Sequence, residues 1–558
     1  MPSVRRLSNC LLAAYLAGSV VTAQETTARV DAVFTDLNRE DSPGCVVGVF
    51  HDGEVLHSKG YGTANLEHGI PLLPESVVGL ASESKQFVAA LVTKEVGVGR
   101  LSLDDDVRKY VPELPDYGKT ITIRHLLHHT SGLRDYSTLW LMAGQQGSDS
   151  HTAELTLDLL ARQRELNFLP GTDYSYTNSG YFLLGIVLER VSGKTLQELA
   201  AEKLFEPAGM GNTRFRADRH QLVERRASGH FRRAGGFGRQ TTNSQVVGAG
   251  GLLTTLEDLF QWERYLLEAE LGKKSLLDQL VERGVLNDDT ELHYARGLVV
   301  DDFDGMTTVT HGGTGDGFRS MILRFPELRL TVLSVCNFTG FDLPSRVWRT
   351  AIVYLYGPLV ERTTALQQEP PPIEWAELST EQLRARAGAF RNVKTRAIWR
   401  AYVREQGLVF ETGRGVSAVR PVGDRRFRTE GYGPVIVVEF GEGDAANTMR
   451  VETEAREPMA FERVKIVSRE PAELLEYAGE YYSDELRIPW ILVVRDGTLF
   501  FDGPGASEAP LTPTIADEFA LGAELVVRFF RQDGKIQGLT AHNERVRSLA
   551  FRRERSPR

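Results

Sequence analysis

A serine and a lysine lie three residues apart at the start of a helical pattern, as Ser82 and Lys85. Because side chains at positions i and i+3 share one face of an α-helix, the hydroxyl and the amine can meet. An amine with a lowered pKa can accept the hydroxyl proton, which makes the serine a nucleophile. The spacing alone does not decide the matter, because Ser-x-x-Lys should arise by chance roughly once or twice in a chain of this length.

A tyrosine and an asparagine form a second motif, Tyr176 and Asn178, just before another helical pattern. In an extended segment, residues two apart point to the same side of the chain, so both side chains could face one site. The phenol could relay a proton to a leaving group, and the amide could hold a substrate carbonyl. The alternative interpretation is structural, with a helix N-cap beside a buried aromatic ring.

The third motif is His311-Gly312-Gly313-Thr314, at the start of a late group of strands. The two glycines would let a substrate approach the strand edge closely, and an edge strand offers N–H groups to a developing oxyanion. His311 could hold or polarise the substrate, or assist proton transfer. The alternative is a glycine-rich turn with a surface histidine.

Strands are expected near both ends of the first 360 residues, with helices between them. The apolar segment 44–50 is followed by an Asp-Gly hairpin turn and a returning strand. The remaining patterns predict helices at 82–96, 122–128, 181–191 and 196–204, and strands at 306–310, 318–325 and 330–336. Early and late strands must then share one antiparallel sheet with helices packed around it, which predicts an α+β domain over 24–360.

The last third of the chain repeats. After a proline-rich linker at 361–373, three short landmarks recur about 90 residues apart. The paired segments are 387–390 with 478–481, 408–411 with 499–502, and 460–463 with 550–553. We therefore predict two copies of one small all-β unit, 374–466 and 467–558, each a closed or nearly closed antiparallel barrel.

Composition and the start of the chain bear on location and partners. The 558 residues carry a formal net charge of −10, which argues against nucleic acid as a partner. Residues 1–23 are typical of a secretory signal, with two arginines, a short apolar stretch and a small-residue cleavage site. The alternative is an uncleaved anchor, but the stretch is shorter than the ~20 residues that span a membrane. We expect no transmembrane span after signal removal, and a secreted or periplasmic protein.

The cysteines do not suggest a metal site. Of the three, Cys10 lies in the signal segment, while Cys45 and Cys336 lie in apolar, strand-like runs. These runs favour two buried free thiols over a disulfide. No Cys/His spacing indicates zinc, and neither His-Glu-x-x-His nor Cys-x-x-Cys occurs.

Taken together, the three motifs resemble those of the active-site serine hydrolases that include class C β-lactamases, serine D,D-peptidases, D-aminopeptidases and related esterases (peptidase family S12 type). There the order is Ser-x-x-Lys, Tyr-x-Asn or Tyr-x-Ser, then Lys-Thr-Gly or His-x-Gly. Segments 126–133 and 250–254 also resemble structural parts of that family. The resemblance covers most of 30–355. It implies a β-lactamase/transpeptidase-like fold, which is an antiparallel sheet flanked by helices. It assigns no catalytic role to His128 or His129.

The resemblance also implies roles. Ser82 would attack a carbonyl and become acylated, with Lys85 accepting or relaying its proton. Tyr176 would pass a proton to the leaving group, and which of Lys85 and Tyr176 is the base stays open. Asn178 would orient the substrate, and the N–H groups of Ser82 and Thr314 would form the oxyanion hole. No metal or organic cofactor is required, and the partner is a small-molecule or peptide substrate.

The third motif and the repeated barrels point to one branch of this family. Penicillin-directed members usually carry lysine where this chain has His311, and His-x-Gly resembles the D-aminopeptidase and esterase branch. A hydrolase domain followed by two barrels also resembles the three-domain D-aminopeptidases, in which a loop of the last barrel reaches the cleft and restricts the substrate. Selecting a free amino group would need an acidic residue at the mouth. The barrels could instead be spacers or wall-binding modules.

The leading hypothesis is therefore a secreted hydrolase of an amide or ester of a D-amino acid or small peptide. A carboxylesterase or weak β-lactamase of the same family is the alternative within enzymes. A catalytically silent protein that binds peptidoglycan or a partner is the alternative of another class. The sequence gives no indication of the oligomeric state.

Overall fold

The computed structural model describes residues 23–554 except 272–273, 304, 358–372, 406, 413–414, 431–434, 443–446, 454–455, 504–507 and 523–524. The expected signal segment up to residue 22 and the expected linker up to residue 372 lie outside the described residues. No helix among the residues described combines the length and the apolar character that crossing a membrane requires.

A six-stranded antiparallel sheet forms the centre of the first domain. In chain order its strands are β1 (Cys45–His51), β2 (Glu54–Tyr61), β3 (Val299–Phe303), β4 (Met306–Gly315), β5 (Phe318–Phe325) and β6 (Leu330–Cys336). The spatial order is β3-β4-β5-β6-β1-β2, so early and late strands pair through β1 and β6, as predicted. Alternate side chains of β1 enter two separate cores, Val46 and Phe50 on one face, Val47 and Val49 on the other.

The cysteine prediction is wrong. Cys45 and Cys336 lie directly opposite each other in the β1–β6 register and form a disulfide. An apolar run fits a buried thiol and a buried disulfide equally well. Only the pairing of strands 291 residues apart in the chain brings the two sulfur atoms together.

Helices pack on both faces of the sheet. They are α1 (Ala23–Phe34), α2 (Ser84–Gly97), α3 (Ile123–Leu127), α4 (Tyr136–Met142), α5 (Ala153–Ala161), α6 (Asn178–Ser192), α7 (Leu196–Ala200), α8 (Glu206–Ala208), α9 (Leu256–Glu268), α10 (Leu276–Leu280) and α11 (Leu343–Leu355). Helix α6 begins three residues earlier than expected because the Thr177 hydroxyl caps it by accepting the N–H of Ser179. The helix expected over 196–204 is α7 continued by a π-helical turn, Ala201–Phe205.

Short strands complete the first domain. Two-stranded pairs join Thr63–Asn65 with Ile70–Pro71, Gly229–Arg233 with Gly236–Gln240, and Glu270–Leu271 with Lys274–Ser275. A three-stranded sheet holds Leu252–Thr254 between Val78–Gly79 and Arg214–Phe215. This small sheet fixes the segment just before the turn that carries Ser82, since the Leu80 N–H donates to the Leu252 carbonyl.

The C-terminal part consists of two closed, eight-stranded antiparallel barrels. The first contains β7 (Gly388–Asn392), β8 (Ile398–Arg404), β9 (Gly407–Thr412), β10 (Gly415–Pro421), β11 (Arg426–Arg428), β12 (Ile436–Phe440), β13 (Thr448–Thr453) and β14 (Arg456–Val464), after helix α12 (Thr380–Arg386). After helix α13 (Pro471–Leu474), the second contains β15 (Gly479–Ser483), β16 (Ile488–Arg495), β17 (Thr498–Asp502), β18 (Ala509–Pro513), β19 (Glu518–Leu521), β20 (Leu525–Gln532), β21 (Lys535–His542) and β22 (Leu549–Arg553). The recurring landmarks lie in the first, third and eighth strands of each barrel. The predicted fold class is therefore confirmed.

The second barrel docks on the first domain through buried polar contacts. The Arg134 guanidinium, fully buried, donates to the Glu485 carboxylate at 2.7 Å. Glu485 also accepts the N–H of Arg164 at 2.8 Å. The Trp490 indole donates to the Met142 carbonyl at 3.0 Å. These contacts bring the β21–β22 end of the barrel to the same side of the first domain as Tyr176.

Candidate active site

Ser82 lies in a tight helical turn, Ala81–Glu83, that leads directly into α2. The preceding residue, Ala81, has a left-handed backbone conformation, φ +48°, which is unfavourable for a side chain with a Cβ. The Ser84 hydroxyl donates to the Ala81 carbonyl at 2.6 Å and accepts the N–H of Leu252. The turn is thus held in a strained conformation that presents Ser82 at the N-terminal end of α2.

Lys85 is fully buried beside Ser82. Its Nζ donates to the Ser82 Oγ at 3.2 Å, the Asn178 Oδ1 at 2.9 Å and the Ala249 carbonyl at 2.8 Å. Burial lowers the pKa of the Lys85 amine well below its usual value, and the positive charge of Arg545 lowers it further. A lysine held in this way can be neutral and accept a proton from Ser82.

Tyr176 contacts the same pair of residues. Its phenol is hydrogen-bonded to Ser82, and the Lys85 Nζ lies 4.8 Å from the centre of its ring. Burial raises the pKa of Tyr176 to about 12, although the Ser82 hydrogen bond and the Arg545 charge act in the opposite direction. The phenol therefore keeps its proton at neutral pH. Tyr176 lies in the loop that precedes α6, as the sequence predicts.

Asn178 is the first residue of α6, and its side-chain amide is hydrogen-bonded at both its oxygen and its nitrogen. The Oδ1 accepts from Lys85, while the Nδ2 donates to the Ser137 hydroxyl at 3.2 Å. The backbone N–H of Asn178 donates to the buried Asp135 carboxylate at 2.6 Å. These contacts make Asn178 a direct support for the Lys85 amine, in addition to the substrate contact that the sequence suggests.

His311 is buried on β4, so the interpretation as a surface histidine does not hold. Its Nδ1 donates to the Gly312 carbonyl at 2.7 Å, which leaves the Nε2 to accept from the Tyr294 hydroxyl at 3.1 Å. Burial, together with the nearby charge of Lys85, lowers the pKa of His311 to about 3. His311 is thus neutral at physiological pH. It cannot supply the positive charge that lysine supplies in proteins with a Lys-Thr-Gly motif at this place.

The glycines of the third motif let β4 pass directly beside the serine turn. A Cβ added at Gly313 would lie 2.2 Å from the Leu80 carbonyl oxygen and 3.0 Å from the Ser82 nitrogen. Strand β3 pairs with β4 only as far as Thr310, so the following residues have one edge without a strand neighbour. That edge faces the turn that carries Ser82. Thr314 is exposed and follows Gly313 on β4; the joint role of its N–H and that of Ser82 in an oxyanion hole stays a prediction.

Comparisons with known proteins agree with this arrangement. A family model described as Beta-lactamase matches residues 30–355, which is more than half of the chain. The chain belongs to the Beta-lactamase family. A D-aminopeptidase of Brucella anthropi is 26% identical over 473 residues, which cover 82% of each chain. A D-aminopeptidase of Gluconobacter oxydans is 29% identical over 364 residues, covering 62% of this chain and 69% of the relative.

Among solved structures, the octameric penicillin-binding protein homologue from Pyrococcus abyssi shares the fold. Its TM-score is 0.52 at 22% identity, with 79% of this chain and 99% of that chain covered. With the D-aminopeptidase relatives and the family match, this Beta-lactamase-family member is a serine hydrolase.

Three residues of this Beta-lactamase site carry no sequence signal of their own. The buried Asp135 accepts from the Asn178 and Thr138 N–H groups. Burial acts to raise the pKa of this carboxyl, but the positive charge of Arg545, with the hydrogen bonds from Ser137, Asn178 and Thr138, lowers it overall. Tyr294 lies in an irregular segment and bonds His311. His129 is fully buried, with its ring centre 4.4 Å from those of Tyr176 and Tyr294, a structural position that agrees with giving it no catalytic role.

The second barrel also contributes to the cleft. Arg545, between β21 and β22, has its guanidinium carbon 5.0 Å from the centre of the Tyr176 ring. The sequence suggests a barrel loop in the cleft and an acidic residue at its mouth, but the residue that the loop places over Tyr176 is a cation. Among the residues described, no group of three His, Cys, Asp or Glu side chains could hold a metal ion.

Proposed function

We propose that the protein forms an acyl-enzyme on Ser82 and hydrolyses an amide or ester of a D-amino acid or small peptide. One observation carries the proposal, the buried Lys85 amine that contacts Ser82 and Asn178 at once. An amine in that position is the base that activates a serine nucleophile. The D-aminopeptidases that align with most of this chain support the substrate class.

Opposite pKa shifts divide the acid and base roles. Lys85, whose pKa is lowered, takes the Ser82 proton as the Oγ attacks the substrate carbonyl carbon. The N–H groups of Ser82 and Thr314 stabilise the tetrahedral oxyanion. As the carbon–nitrogen or carbon–oxygen bond breaks, the Tyr176 phenol gives its proton to the leaving group and regains one from Lys85. Water then attacks the acyl-enzyme, and the same two groups return the proton to Ser82.

A carboxylesterase is the second candidate. The neutral, buried His311 favours it over an efficient β-lactamase, because the third motif offers no cation to a penicillin carboxylate. An ester substrate that has no carboxylate near the third motif would lose no binding energy from the absence of a cation there. Weak nitrocefin turnover beside strong ester turnover would fit this second candidate.

We also propose that the protein is exported. The pattern of residues 1–23 is that of a secretory signal. The Cys45–Cys336 disulfide supports export, because disulfides persist mainly in oxidising compartments. Expression in a secreting host should yield a mature protein that begins at Gln24, measured by intact mass. Retention of the full-length chain in the cytosol would contradict this proposal.

Covalent labelling tests the nucleophile. The wild-type protein should react with a fluorophosphonate probe, and mass spectrometry should locate the adduct on Ser82. Ser82→Ala should abolish labelling, whereas Ser148→Ala, at an exposed serine of the same domain, should not change it. A protein that is folded by circular dichroism but forms no Ser82-dependent adduct would be a binding protein, and the enzyme proposal would be wrong.

A substrate panel then ranks the activities. D-alanine p-nitroanilide, L-alanine p-nitroanilide, nitrocefin and p-nitrophenyl butyrate differ in stereochemistry and in the bond that breaks. We expect the D-anilide to exceed the L-anilide in kcat/KM. Faster turnover of nitrocefin than of both anilides would contradict the proposed substrate class.

A further inference from the structure

The segment Asn543–Ser548 between β21 and β22, here called the barrel loop, is a preformed structure. The Asn543 Oδ1 accepts the N–H groups of Arg545 and Val546, both at 2.8 Å. The Asn543 N–H closes the turn on the Val546 carbonyl at 2.8 Å. The base of the loop is also fixed, since the Ser548 N–H donates to the Nδ1 of His542. The backbone at Arg545 is thus held before any substrate arrives.

The barrel loop is fastened to the backbone of the active site itself. The Arg545 carbonyl accepts the N–H of Asp135 at 3.1 Å and the side-chain amide of Asn167 at 2.9 Å. The hydroxyl of Ser175, the residue before Tyr176, donates to the Glu544 carbonyl at 3.0 Å. A shift of the barrel loop would therefore break contacts to the residues that position the catalytic groups.

The Arg545 side chain is unusual among the arginines at this interface. Arg134 and Arg547 are both paired with carboxylates, those of Glu485 and Asp173. In the part of the chain that the structure describes, the Arg545 guanidinium makes the ring contact with Tyr176 but no ion pair and no hydrogen bond. Its side chain is partly exposed. The Arg545 charge acts on the Asp135 carboxylate without an ion-pair contact. A guanidinium carries five N–H donors, so those of Arg545 can still bind an anion from the substrate.

The charge of the other cleft residues makes an anion the expected ligand. Lys85 and His311 are both shifted towards their neutral forms by burial. The carboxylate of Asp135 is already bonded by the N–H groups of Asn178 and Thr138 and by the Ser137 hydroxyl. Arg545 therefore supplies the positive charge that His311 does not provide.

The position of Arg545 over the Tyr176 ring indicates which part of the substrate it meets. In the proposed mechanism, the Tyr176 phenol gives its proton to the leaving group, which must depart past this ring. We propose that Arg545 binds a carboxylate on the leaving group, so that the preferred substrate is a short peptide whose terminal residue, with its free carboxylate, is released. This inference rests on the proposed acyl-enzyme function and names its substrate class.

A matched pair of substrates tests the inference. D-Alanyl-D-alanine and D-alanyl-D-alaninamide present the same scissile bond with and without the carboxylate, and D-alanyl-glycine and its amide form a second pair. Wild-type protein should favour each free acid in kcat/KM by about 10- to 100-fold, the range for one charge-assisted hydrogen-bonded pair. Arg545→Gln should bring the ratio of kcat/KM for each acid over its amide to about 1, even where loss of the Arg545 charge near Lys85 also changes the turnover of the amides. Arg552→Gln, at an exposed arginine of the same barrel, is the charge-matched control. It should change neither the preference for the free acids nor the turnover of the amides.

The outcomes separate the inference from the proposed function. Equal losses on acids and amides in Arg545→Gln, with a shifted pH–rate profile, would make Arg545 a positioning residue that tunes Lys85 and Tyr176, and would overturn the inference. No preference for the free acids, or no turnover of them by wild-type protein that fluorophosphonate labels on Ser82, would overturn the inference alone. No Ser82-dependent labelling would overturn the proposed function as well.

Discussion

Lys85 and Tyr176 carry opposite pKa shifts although both contact Ser82. Burial is the main cause for both, because it disfavours a charged ammonium and a charged phenolate alike. One buried environment thus favours both a neutral amine, which can accept a proton, and a neutral phenol, which can donate one. The sequence leaves open which of the two is the base, and the shifts favour Lys85.

Replacement of the Tyr176 phenol should affect substrates according to their leaving group. An amine leaves only with a proton, whereas p-nitrophenolate leaves without one. Tyr176→Phe should therefore lower kcat for a D-amino acid amide by about 10²- to 10⁴-fold, and for a p-nitrophenyl ester by much less. Steady-state kinetics on both substrates measures the difference, with Tyr402→Phe on the exposed face of the first barrel as control. Equal losses on amide and ester would contradict the proton-donor role.

At the scale of secondary structure, the site is built where three elements meet. The turn before α2 presents Ser82, the loop before α6 presents Tyr176, and the edge of β4 passes beside both. The approach of β4 to the serine turn is so close that Gly313 has no space for a side chain. The second barrel adds a fourth element, the barrel loop.

Two neighbouring glycines of β4 should respond differently to the same substitution. The added Cβ of Gly313→Ala would lie 2.2 Å from the Leu80 oxygen, so β4 must move away from the serine turn. At Gly312 the nearest atom, the Ser320 oxygen, would lie at 3.5 Å, an ordinary contact. We expect Gly313→Ala to lower kcat/KM by about 100-fold or more, as for loss of an oxyanion donor, and Gly312→Ala by much less. Similar activities of the two variants would show that the β4 edge does not form the oxyanion hole.

The buried ion pair between Arg134 and Glu485 should hold the second barrel in place. Glu485→Gln removes the buried carboxylate and leaves Arg134 with only the exposed Glu165 carboxylate, 3.9 Å away; loss of a buried partner typically costs about 3–5 kcal/mol. We expect the variant to melt at a lower temperature and to be cleaved faster by trypsin, measured by calorimetry and limited proteolysis. Glu554→Gln breaks an exposed pair with Arg552 on the same barrel and should cost less than about 1 kcal/mol. Equal stability of the two variants would show that Glu485 does not anchor the barrel.

On the scale of the whole molecule, two long-range contacts join parts of the chain that are far apart in sequence. The Cys45–Cys336 disulfide joins the two ends of the first domain, and the barrel loop returns to the site formed by that domain. Both contacts make the stability of the first domain and the shape of the cleft properties of the complete chain.

Removal of the disulfide should destabilise the first domain without altering the site. A disulfide that closes a long loop reduces the conformational entropy of the unfolded chain. Loss of such a bond typically lowers the free energy of unfolding by about 2–5 kcal/mol. Cys45→Ala with Cys336→Ala should lower the free energy of unfolding by that amount in urea titrations and leave fluorophosphonate labelling of Ser82 intact. A reductant should lower the melting temperature of the wild type but not of the double variant. An unchanged wild type in reductant would contradict the prediction.

The local chemistry and the fold classes could be predicted from the residues and their spacing. Ser82 and Lys85 share a helical face because three residues make about one turn, and this holds wherever the helix lies. Alternation and repetition likewise predicted the antiparallel sheet and the paired barrels. Each of these features depends on contacts between residues close in the chain, or on a pattern repeated along it.

Which distant residues meet at the site became clear only from the folded chain. The hydrogen bond from Ser175 to Glu544 spans 369 positions, and no spacing rule connects them. The same is true of the disulfide, which the sequence made less favoured than two free thiols, and of Arg545 over Tyr176. The neutral state of His311 also depends on burial by parts of the fold remote in sequence. Packing and burial sum contributions from the whole chain. The reaction type proposed for Ser82 could therefore be predicted from nearby residues, whereas the cation that we propose selects the substrate is placed by the three-dimensional arrangement.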